Sequence, residues 1–380
     1  MKWVKKTLYD LADIIMGQSP PSRFYNEEGN GIPFFQGKTE FGALYPLIKK
    51  YTTKITREAK TGDILFTVRA PVGDINIANI SCCIGRGLSA IRSKEDSKFL
   101  FYLIKNSKNK FLSKSGRAIY DSINKDDLSK VSFHIPEDRK YRDKIASVLS
   151  AYDDLTENNL RRINLLEEAA RLIYKEWFVR LRFPGYEHTQ IADGVPEGWK
   201  YKNLGDICKI TMGQSPKSEF YNENEERLPF HQGVSDFGNR FITHSKYCTK
   251  HSRTAEKYDI LCSVRAPVGR LNITLDKIII GRGLSAIQNN KGFQTFQFYQ
   301  LKTHFYQEDM IGGGAIFASM TRKQFESRKM LVPTDNLISE FERIVRPMDR
   351  QMEKLFCQNQ KLRQTRDILL PRLMNGSIQP

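Results

Sequence analysis

The chain of 380 residues is too long for one compact core, so its length favours two or more domains over a single large enzyme domain. Hydrophobic residues make up 40% of it, and no apolar run reaches the ~18 residues of a membrane span, so we expect a soluble globular protein. Lysine and arginine outnumber the acidic residues by 60 to 43, and the net charge of +17 indicates a polyanionic partner.

The cysteines and histidines point to a reducing compartment and to no metal site. The six cysteines show no C-x-x-C spacing, and the N-terminus MKWVKKTLYD lacks the apolar stretch of a secretory signal, so we expect a cytoplasmic protein. No histidine lies four residues from another or beside a cysteine pair, which argues against zinc.

Short strands dominate the first part of the chain. Residues 64–69 (ILFTVR) and 87–93 (GLSAIRS) are β-rich runs bounded by glycine and proline, while residues 97–112 have helical periodicity. Asn124 has the position of an N-cap for a further short helix. This mixture predicts an α+β domain over residues 1–137.

The pattern changes after Pro136 to a heptad repeat that predicts a long helix over residues 138–181. Its apolar seam includes Ile163 and Leu166 and carries one asparagine, Asn159, of the kind that fixes coiled-coil register. Residues 182–198 are rich in glycine, proline and polar groups, and we interpret them as a linker.

The chain then repeats itself. The segments MGQSP, RAPVG and GRGLSAI of the first domain return 196 residues later, and about half of the positions from Trp3 to Ile91 are identical to those from Trp199 to Ile287. Thr321 and Gln324 form a capping box in the second copy. A second domain of the same α+β class is therefore predicted over residues 199–334.

A second long helix is predicted over residues 335–376. Its seam is sustained for over four heptads and includes Met352, Leu355, Asn359 and Leu362. The two helices are nearly equal in length, roughly 50 Å each, so we expect them to pair as an antiparallel coiled coil. A pseudo-two-fold axis would then place the two domains at opposite ends of a helical spacer.

Nothing in the sequence indicates an active site of its own. The segments Gly85-Arg86-Gly87 and Gly312-Gly313-Gly314 lack the G-K-[ST] ending of a phosphate-binding loop, and turns explain them better. There is no G-x-S-x-G motif, and the N-P-P-[FY] motif of a fused methyltransferase is absent. A pair of basic modules on a spacer is the inventory of a binding protein.

Polar and cationic residues in the predicted loops are the candidates for DNA contact, by base-edge hydrogen bonds from glutamine and arginine or by phosphate contacts from lysine. In the first domain these are Gln18, Gln36, Lys38, Lys49, Lys50, Arg69 and Arg86; in the second they are Gln214, Gln232, Arg240, Lys246, Arg265 and Arg282. Turn formation and ion pairs within the domain are the alternatives for each.

The differences between the copies are a second guide to DNA contact. Shared residues should hold the fold and the phosphate backbone, whereas divergent ones are candidates for reading different bases. The clearest divergent island is residues 43–49 against residues 239–245, with residues 38–40 against 234–236 beside it. Ordinary drift in exposed loops is the competing explanation.

The order of these repeated motifs, each domain followed by a long helix, resembles the specificity subunit of type I restriction-modification systems over nearly the entire chain. PEGW before the second domain and LLPRLMNG at residues 369–376 are also similar to that family. The resemblance implies a non-catalytic double-stranded-DNA reader with two target recognition domains, each taking one half of a split, gapped site whose spacing is set by the helices.

The resemblance also implies partners. Such a subunit binds two adenine-N6 methyltransferase subunits and, through them, two restriction subunits. S-adenosylmethionine, ATP and magnesium would therefore be bound by those partners and not by this chain. Trp177 and Phe178, which lie off the seam, become candidates for the partner-subunit interface, with a core position as the alternative.

Because the two domains are so alike, we predict related half-sites that approach a gapped palindrome, with centres about one helical turn apart, ~34–36 Å. A coiled-coil scaffold with domains that bind nucleic acid non-specifically is the alternative function. It predicts binding without sequence preference.

Overall fold

The computed structural model describes residues 2–113, 122–250, 252–310 and 319–380, with the side chains of residues 306–310 excepted. Glycines 312–314 lie outside the described residues. The chain divides into two compact units: unit 1 comprises Met1–Leu160 and Cys357–Pro380, and unit 2 comprises Arg161–Phe356. Each unit therefore contains one predicted recognition domain and a segment of each long helix.

The recognition domain of unit 1 is an α+β domain. Its strands are β1 Trp3–Thr7, β2 Ala12–Met16, β3 Tyr25–Asn26, β4 Ile32–Phe35, β5 Tyr51–Thr52, β6 Glu58–Ala59, β7 Ile64–Thr67, β8 Ile75–Ile77, β9 Cys82–Ile84, β10 Leu88–Ser93 and β11 Ser132–Pro136. Its short helices are α1 Leu8–Leu11, α2 Ser97–Asn106, α3 Lys108–Leu112 and α4 Lys125–Ser129. Asn124 accepts a hydrogen bond from the Asp127 amide and so caps α4, as predicted.

These strands form three sheets. One has four strands in the order β2-β10-β7-β8, one has five in the order β3-β5-β4-β9-β6, and β1 pairs with β11. β4 and β9 run parallel, and Phe34 pairs with Cys83 although the two are distant in the sequence. The four-stranded sheet packs against α2 through a buried core that includes Phe66 and Phe101.

The first long helix, α5, spans Arg139–Tyr174 and continues as a π-helical turn over Lys175–Val179. The predicted linker contains a two-stranded hairpin, β12 Ile191–Ala192 with β13 Val195–Pro196. Phe183 and Trp199 at its ends are buried and belong to the core of unit 2. The linker is thus anchored at both ends by aromatic side chains.

Unit 2 repeats the topology of unit 1. Its strands are β14 Lys200–Asn203, β15 Cys208–Met212, β16 Tyr221–Asn222, β17 Leu228–His231, β18 Tyr247–Cys248, β19 Thr254–Ala255, β20 Ile260–Ser263, β21 Leu271–Ile273, β22 Ile278–Ile280, β23 Leu284–Asn289 and β24 Lys329–Val332. Its shorter helices are α6 Leu204–Ile207, α7 Gln294–Met310 and α8 Arg322–Glu326, and the second long helix, α9 Asp335–Met374, begins in unit 2 and ends in unit 1. The sheets have the orders β15-β23-β20-β21, β16-β18-β17-β22-β19 and β14-β24. The Thr321–Gln324 capping box opens α8, as predicted.

The two long helices pair antiparallel, which confirms the predicted coiled coil. In unit 1, Asp153 of α5 contacts Arg366 of α9, and further along α5 Asn159 donates from Nδ2 to Oδ1 of Asn359 at 2.9 Å. Advancing along one helix therefore moves backwards along the other. Asn159 and Asn359 are both almost fully buried, at 1% and 2% exposure, as expected for seam positions.

The helix segments of unit 2 pack in the same manner. Ile163, Met352 and Leu355 lie in one buried core, with Leu166 packed against its edge. Leu362, which was also assigned to the seam, is half-buried in unit 1. Within the described parts of the chain, no helix combines the length and apolar character that crossing a bilayer requires.

Candidate nucleic-acid interface

Four of the predicted DNA-binding residues of unit 1 line one open cavity of about 630 Å³. These are Gln36 and Lys38 after β4, Arg69 after β7, and Arg86 between β9 and β10. All four are exposed, and they come from three loops that are far apart in the sequence. We refer to the surface formed by these four residues as the recognition face of unit 1.

The glycines of the GRG turn hold this face together. The amide of Gly85 donates to the carbonyl of Phe35 at 2.8 Å, so the turn packs directly on the end of β4. A Cβ atom on Gly87 would lie 2.3 Å from the carbonyl oxygen of Gln36, a distance that no side chain tolerates. These glycines therefore serve the close approach of the loops that carry Gln36 and Arg86.

Lys38 is tied into an ionic cluster at the edge of the face. Its Nζ lies 2.7 Å from one oxygen of Asp74, and Nζ of Lys108 lies 2.5 Å from the other. Burial opposes ionisation of Asp74, but the two lysines outweigh it and lower the pKa of its carboxyl group. Lys38, Lys108 and Asp74 together therefore carry a net charge of +1, which can attract a phosphate.

The other three candidates of unit 1 are exposed as well but lie outside the cavity. Gln18 follows β2; its backbone amide donates to the carbonyl of Ile84 at 3.0 Å, and the residue is exposed. Lys49 reaches the carbonyl of Thr39 at 3.4 Å, while Lys50 extends into solvent just before β5.

Unit 2 repeats the scaffold of this face. The amide of Gly281 donates to the carbonyl of His231 at 2.8 Å, and that of Val264 donates to the carbonyl of Gly283 at 2.9 Å, as the equivalent groups do in unit 1. Gln232, Arg265 and Arg282 are all exposed. The loops of unit 2 that match the recognition face of unit 1 therefore present the same three residue types on the same backbone framework.

Gln214 lines a separate cavity of about 480 Å³ in unit 2, together with Lys217, Lys250 and Arg253. Lys250 and Arg253 were missed as candidate site residues. The available signal was that they are identical to Lys54 and Arg57 at the 196-residue spacing. Lys54 and Lys250 lie over phenylalanine rings, 5.4 and 4.8 Å from the centroids of Phe24 and Phe220.

The prediction that Arg240 contacts DNA is wrong. Its side chain is 1% exposed, and its guanidinium donates to Asp349 at 2.6 Å and to Oη of Tyr299 at 3.0 Å. A buried, ion-paired guanidinium is a structural group, because releasing it would leave Asp349 uncompensated. Lys246, by contrast, is exposed next to β18.

The structure also corrects the proposed partner-interface role of Phe178. Its side chain is 8% exposed and packs against Phe296 and Phe341 in the core of unit 2, with ring centroids 5.0 and 5.2 Å away. Trp177 is partly buried against the same core, 6.1 Å from Phe341. Phe178 is thus a core residue, and only part of Trp177 remains accessible.

His244 of the divergent island belongs to a hydrogen-bonded chain of side chains that unit 1 lacks. Nδ1 of His231 lies 2.9 Å from Asp236, and its Nε2 lies 2.9 Å from Nδ1 of His244, whose Nε2 is 3.1 Å from Asp276. Burial and the neighbouring His244 together outweigh Asp236 and lower the pKa of His231. The residues of unit 1 equivalent to His231, His244 and Asp276 are Phe35, Ile48 and Ile80, so these three have changed together, whereas Asp236 corresponds to another carboxylate, Glu40.

In the described residues, no group of three or more histidine, cysteine, aspartate or glutamate side chains is placed to hold a metal ion. The six cysteines are free thiols, and five of them are buried.

Two copies of one α+β domain, each presenting exposed glutamine and arginine side chains and each joined to antiparallel helices, define a bipartite nucleic-acid-binding protein. The family model of the type I restriction modification DNA specificity domain matches residues 1–168 and 196–351, and the chain belongs to this family. It is a DNA-recognition subunit of a restriction-modification system, which agrees with the resemblance inferred from the repeated motifs.

Individual relatives support this assignment over nearly the full length. The chain is 32% identical to a protein of Methanocaldococcus jannaschii provisionally named the type I restriction enzyme MjaX specificity subunit, across 99% of this chain and 93% of the relative. It is 26% identical to the MjaIX specificity subunit of the same organism, with the same coverage. The HindI specificity subunit of Haemophilus influenzae is 23% identical over 74% of this chain and 77% of its own length.

A solved structure shares the fold. The crystal structure of the type I restriction-modification S subunit from M. genitalium superposes with a TM-score of 0.60 at 20% identity, covering 98% of this chain and 96% of that one. Membership of the specificity-subunit family indicates a non-catalytic role and an assembly with other subunits.

Proposed function

We propose that this chain reads a bipartite, gapped DNA site, with the domain of unit 1 on one half-site and the domain of unit 2 on the other. The observation that carries the proposal is the paired exposure of Gln36 and Gln232, and of Arg86 and Arg282, on equivalent loops. Glutamine reads adenine and arginine reads guanine by bidentate contacts in the major groove. Two such faces in one chain are suited to two half-sites.

The partners are part of the same proposal. Two adenine-N6 methyltransferase subunits would dock on this chain, and two restriction subunits would join through them, in the cytoplasm. S-adenosylmethionine, ATP and magnesium would be bound by those subunits. The exposed apolar residues of α5 support docking, because Leu165 and Leu172 are 65% and 45% exposed and lie two turns apart on one side of the helix.

The half-sites should be related in sequence, because the loops that match in the two units carry the same residue types. They should not be identical, because the loops differ at the divergent island, where unit 2 has His244 and unit 1 has Ile48. We keep the prediction that the half-site centres lie about one helical turn apart.

The test is single-molecule sequencing of adenine methylation in cells that express the chain together with the methyltransferase subunit proposed as its partner. A gapped motif should disappear when only this chain is deleted. Arg86→Ala and Arg282→Ala should each relax or abolish a different half of the motif, since a bidentate base contact contributes about 1–3 kcal/mol of discrimination. Arg322→Ala, which removes an exposed arginine paired with Glu326, should leave the motif unchanged.

Two results would contradict the proposal. One is a motif that persists without the chain, and the other is a motif in which both arginine variants alter the same half-site. Measuring DNA binding against salt concentration adds an independent check, because losing one phosphate contact lowers the salt slope by about one whereas losing a base contact does not.

A further inference from the structure

Each unit buries a tyrosine–aspartate contact between its recognition domain and the long helix that follows it. In unit 1, Oη of Tyr102 donates to Asp153 at 2.7 Å, and in unit 2, Oη of Tyr299 donates to Asp349 at 3.5 Å. The two aspartates are 196 residues apart and occupy equivalent places. Their side chains are only 6% and 18% exposed, so each needs a positive partner.

The positive partner comes from a different element in each unit. In unit 1 it is Arg366 of α9, whose side chain is 9% exposed and pairs with Asp153. In unit 2 it is Arg240, which belongs to the loop before β18 and lies 2.6 Å from Asp349. One arginine thus neutralises each aspartate, from the crossing helix in the first case and from the recognition domain in the second.

The place of Arg240 is apolar in unit 1. Leu44 is its equivalent, because the amide of Ile77 donates to the carbonyl of Leu44 at 2.9 Å just as the amide of Ile273 donates to that of Arg240 at 2.8 Å. Leu44 is 5% exposed and belongs to the core of its unit.

In unit 2 a small apolar residue occupies the position equivalent to Arg366. Ala170 is the residue 196 positions earlier in the helical seam, and it is fully buried at 0% exposure. A methyl group has replaced a long cation at the same point where Arg240 has replaced Leu44. The two substitutions therefore compensate one another.

A neighbouring helix position follows the same exchange. In unit 2, Glu167 of α5 lies 3.9 Å from Arg240 and pairs with Lys302. Its counterpart in unit 1 is Arg363, which is attracted to Glu157. In unit 1, where the domain has Leu44, the crossing segment of α9 is basic. In unit 2, where the domain has Arg240, the crossing segment of α5 is acidic at the equivalent position.

We propose that this exchange makes each recognition domain fit only the helix pair of its own unit. A domain with an apolar residue at the place of Leu44 fits the helix pair that carries Arg363 and Arg366. A domain with an arginine at that place fits the pair that carries Glu167 and Ala170. The surface between domain and helices thereby selects its partner by charge, whether a recognition domain comes from this chain, a second copy or a recombined one.

A charge exchange in the full-length chain tests the proposal in unit 1. Arg366→Ala should lower the Tm of unit 1 by about 6 °C or more, because it strands a buried carboxylate. Leu44→Arg should also lower it, because it places a second guanidinium beside Arg366. The double variant L44R/R366A recreates the arrangement of unit 2 and should regain at least half of the loss caused by R366A.

The reciprocal exchange in unit 2 uses R240L, A170R and their combination, with the same pattern expected. Arg171→Ala removes an exposed cation that pairs with Glu168 and serves as the control for simple loss of charge. If a single variant is insoluble, recovery of soluble protein by the double variant is the readout. Double variants that are no more stable or soluble than the worse single variant would overturn the proposal.

A chimera provides an independent test with a change of sign. Residues 199–334 are copied in place of residues 1–137, which sets the copied arginine beside Arg363 and Arg366. Arg240→Leu in that first-position copy should raise the Tm of the chimera, whereas R240L in the original chain should lower it. Destabilisation by the leucine in both settings would show that the arginine is required by its own domain, against the proposal.

Discussion

The two units solve the burial of one aspartate differently, and this difference yields a stabilising substitution. Asp63 in unit 1 is 4% exposed and receives two hydrogen bonds from Arg92, at 2.9 and 2.7 Å. Its equivalent Asp259 is 7% exposed, but the position of Arg92 is occupied by Gln288. Burial accordingly raises the pKa of Asp259 from 3.8 to about 6. Gln288→Arg should restore the missing ion pair.

The expected gain in stability follows from the difference between the pKa of Asp259 in the folded and in the unfolded chain. A carboxyl group whose pKa is higher in the folded than in the unfolded chain binds more protons when folded, so stability falls as the pH rises from about 4 through 6 and the full cost applies above that range. Raising the pKa of Asp259 by about two units costs about 3 kcal/mol at neutral pH. Lys209 lies across from Gln288, where unit 1 has Asp13 across from Arg92, so the new arginine would recover only about 1–2 kcal/mol.

Thermal unfolding at two pH values measures the effect. For a unit of this size, Gln288→Arg should raise the Tm of unit 2 by about 2–8 °C at pH 7.5. The rise should be smaller at pH 5, where Asp259 is already mostly protonated in the parent chain. Arg92→Gln should do the reverse to unit 1. Gln288→Met, which gives a long side chain without the positive charge of arginine, serves as the control.

An equal rise at both pH values, or a rise that Gln288→Met reproduces, would refute the reasoning, because the gain would then come from packing and not from the charge of Asp259. No rise at pH 7.5 in a well-folded variant would show that repulsion from Lys209 outweighs the ion pair.

Three further predictions concern the seam, the recognition face and the histidine chain. Asn159→Leu alone should destabilise unit 1 by about 1–3 kcal/mol, because Asn359 loses a buried hydrogen-bond partner. Replacing both asparagines by leucine should destabilise it less, and urea unfolding of the two variants measures the difference. Gly87→Ala should weaken DNA binding about tenfold, because the new Cβ atom would displace Gln36. The affinity is measured by titrating the complex with the methyltransferase onto target DNA. An unchanged affinity would contradict the assignment of the recognition face. The pKa of His231 is lower in the folded than in the unfolded chain, so its contribution to stability is present above about pH 6.5 and is lost as the pH falls through the folded pKa. His231→Phe should therefore make the Tm of unit 2 less sensitive to acid between pH 7 and 5.

Local sequence signals were sufficient for much of the fold. The capping box at Thr321 and the N-cap at Asn124 satisfy helix-terminal amides through neighbours in the chain, which is why the sequence alone could reveal them. The predicted helix over residues 97–112 divides at Ser107 into α2 and α3. The parallel pairing of β4 with β9 could not be predicted, because it depends on contacts between segments that are distant in the sequence.

The candidate site was predictable where residues repeat and less so where they differ. Gln36 and Arg86 were found because identical residues recur on the same loops, and Lys250 could have been found in the same way. Arg240 was misassigned because a divergent basic residue in a loop has the same sequence signature whether it points to DNA or into the core. Burial depends on the position of Asp349, which is 109 residues away in the chain.

Divergence between repeated domains therefore separates into two kinds. When two positions change together so that a buried aspartate keeps one arginine, the change is structural. Leu44 and Arg366 of unit 1 become Arg240 and Ala170 of unit 2 in this way. When an exposed residue changes and no contacting residue changes with it, the fold does not constrain the substitution. Such a residue can vary with the bases that the domain reads. Lys49, exposed in unit 1 where unit 2 has a serine, is of the second kind. In a duplicated DNA reader, uncompensated and exposed differences are thus the positions at which to seek specificity.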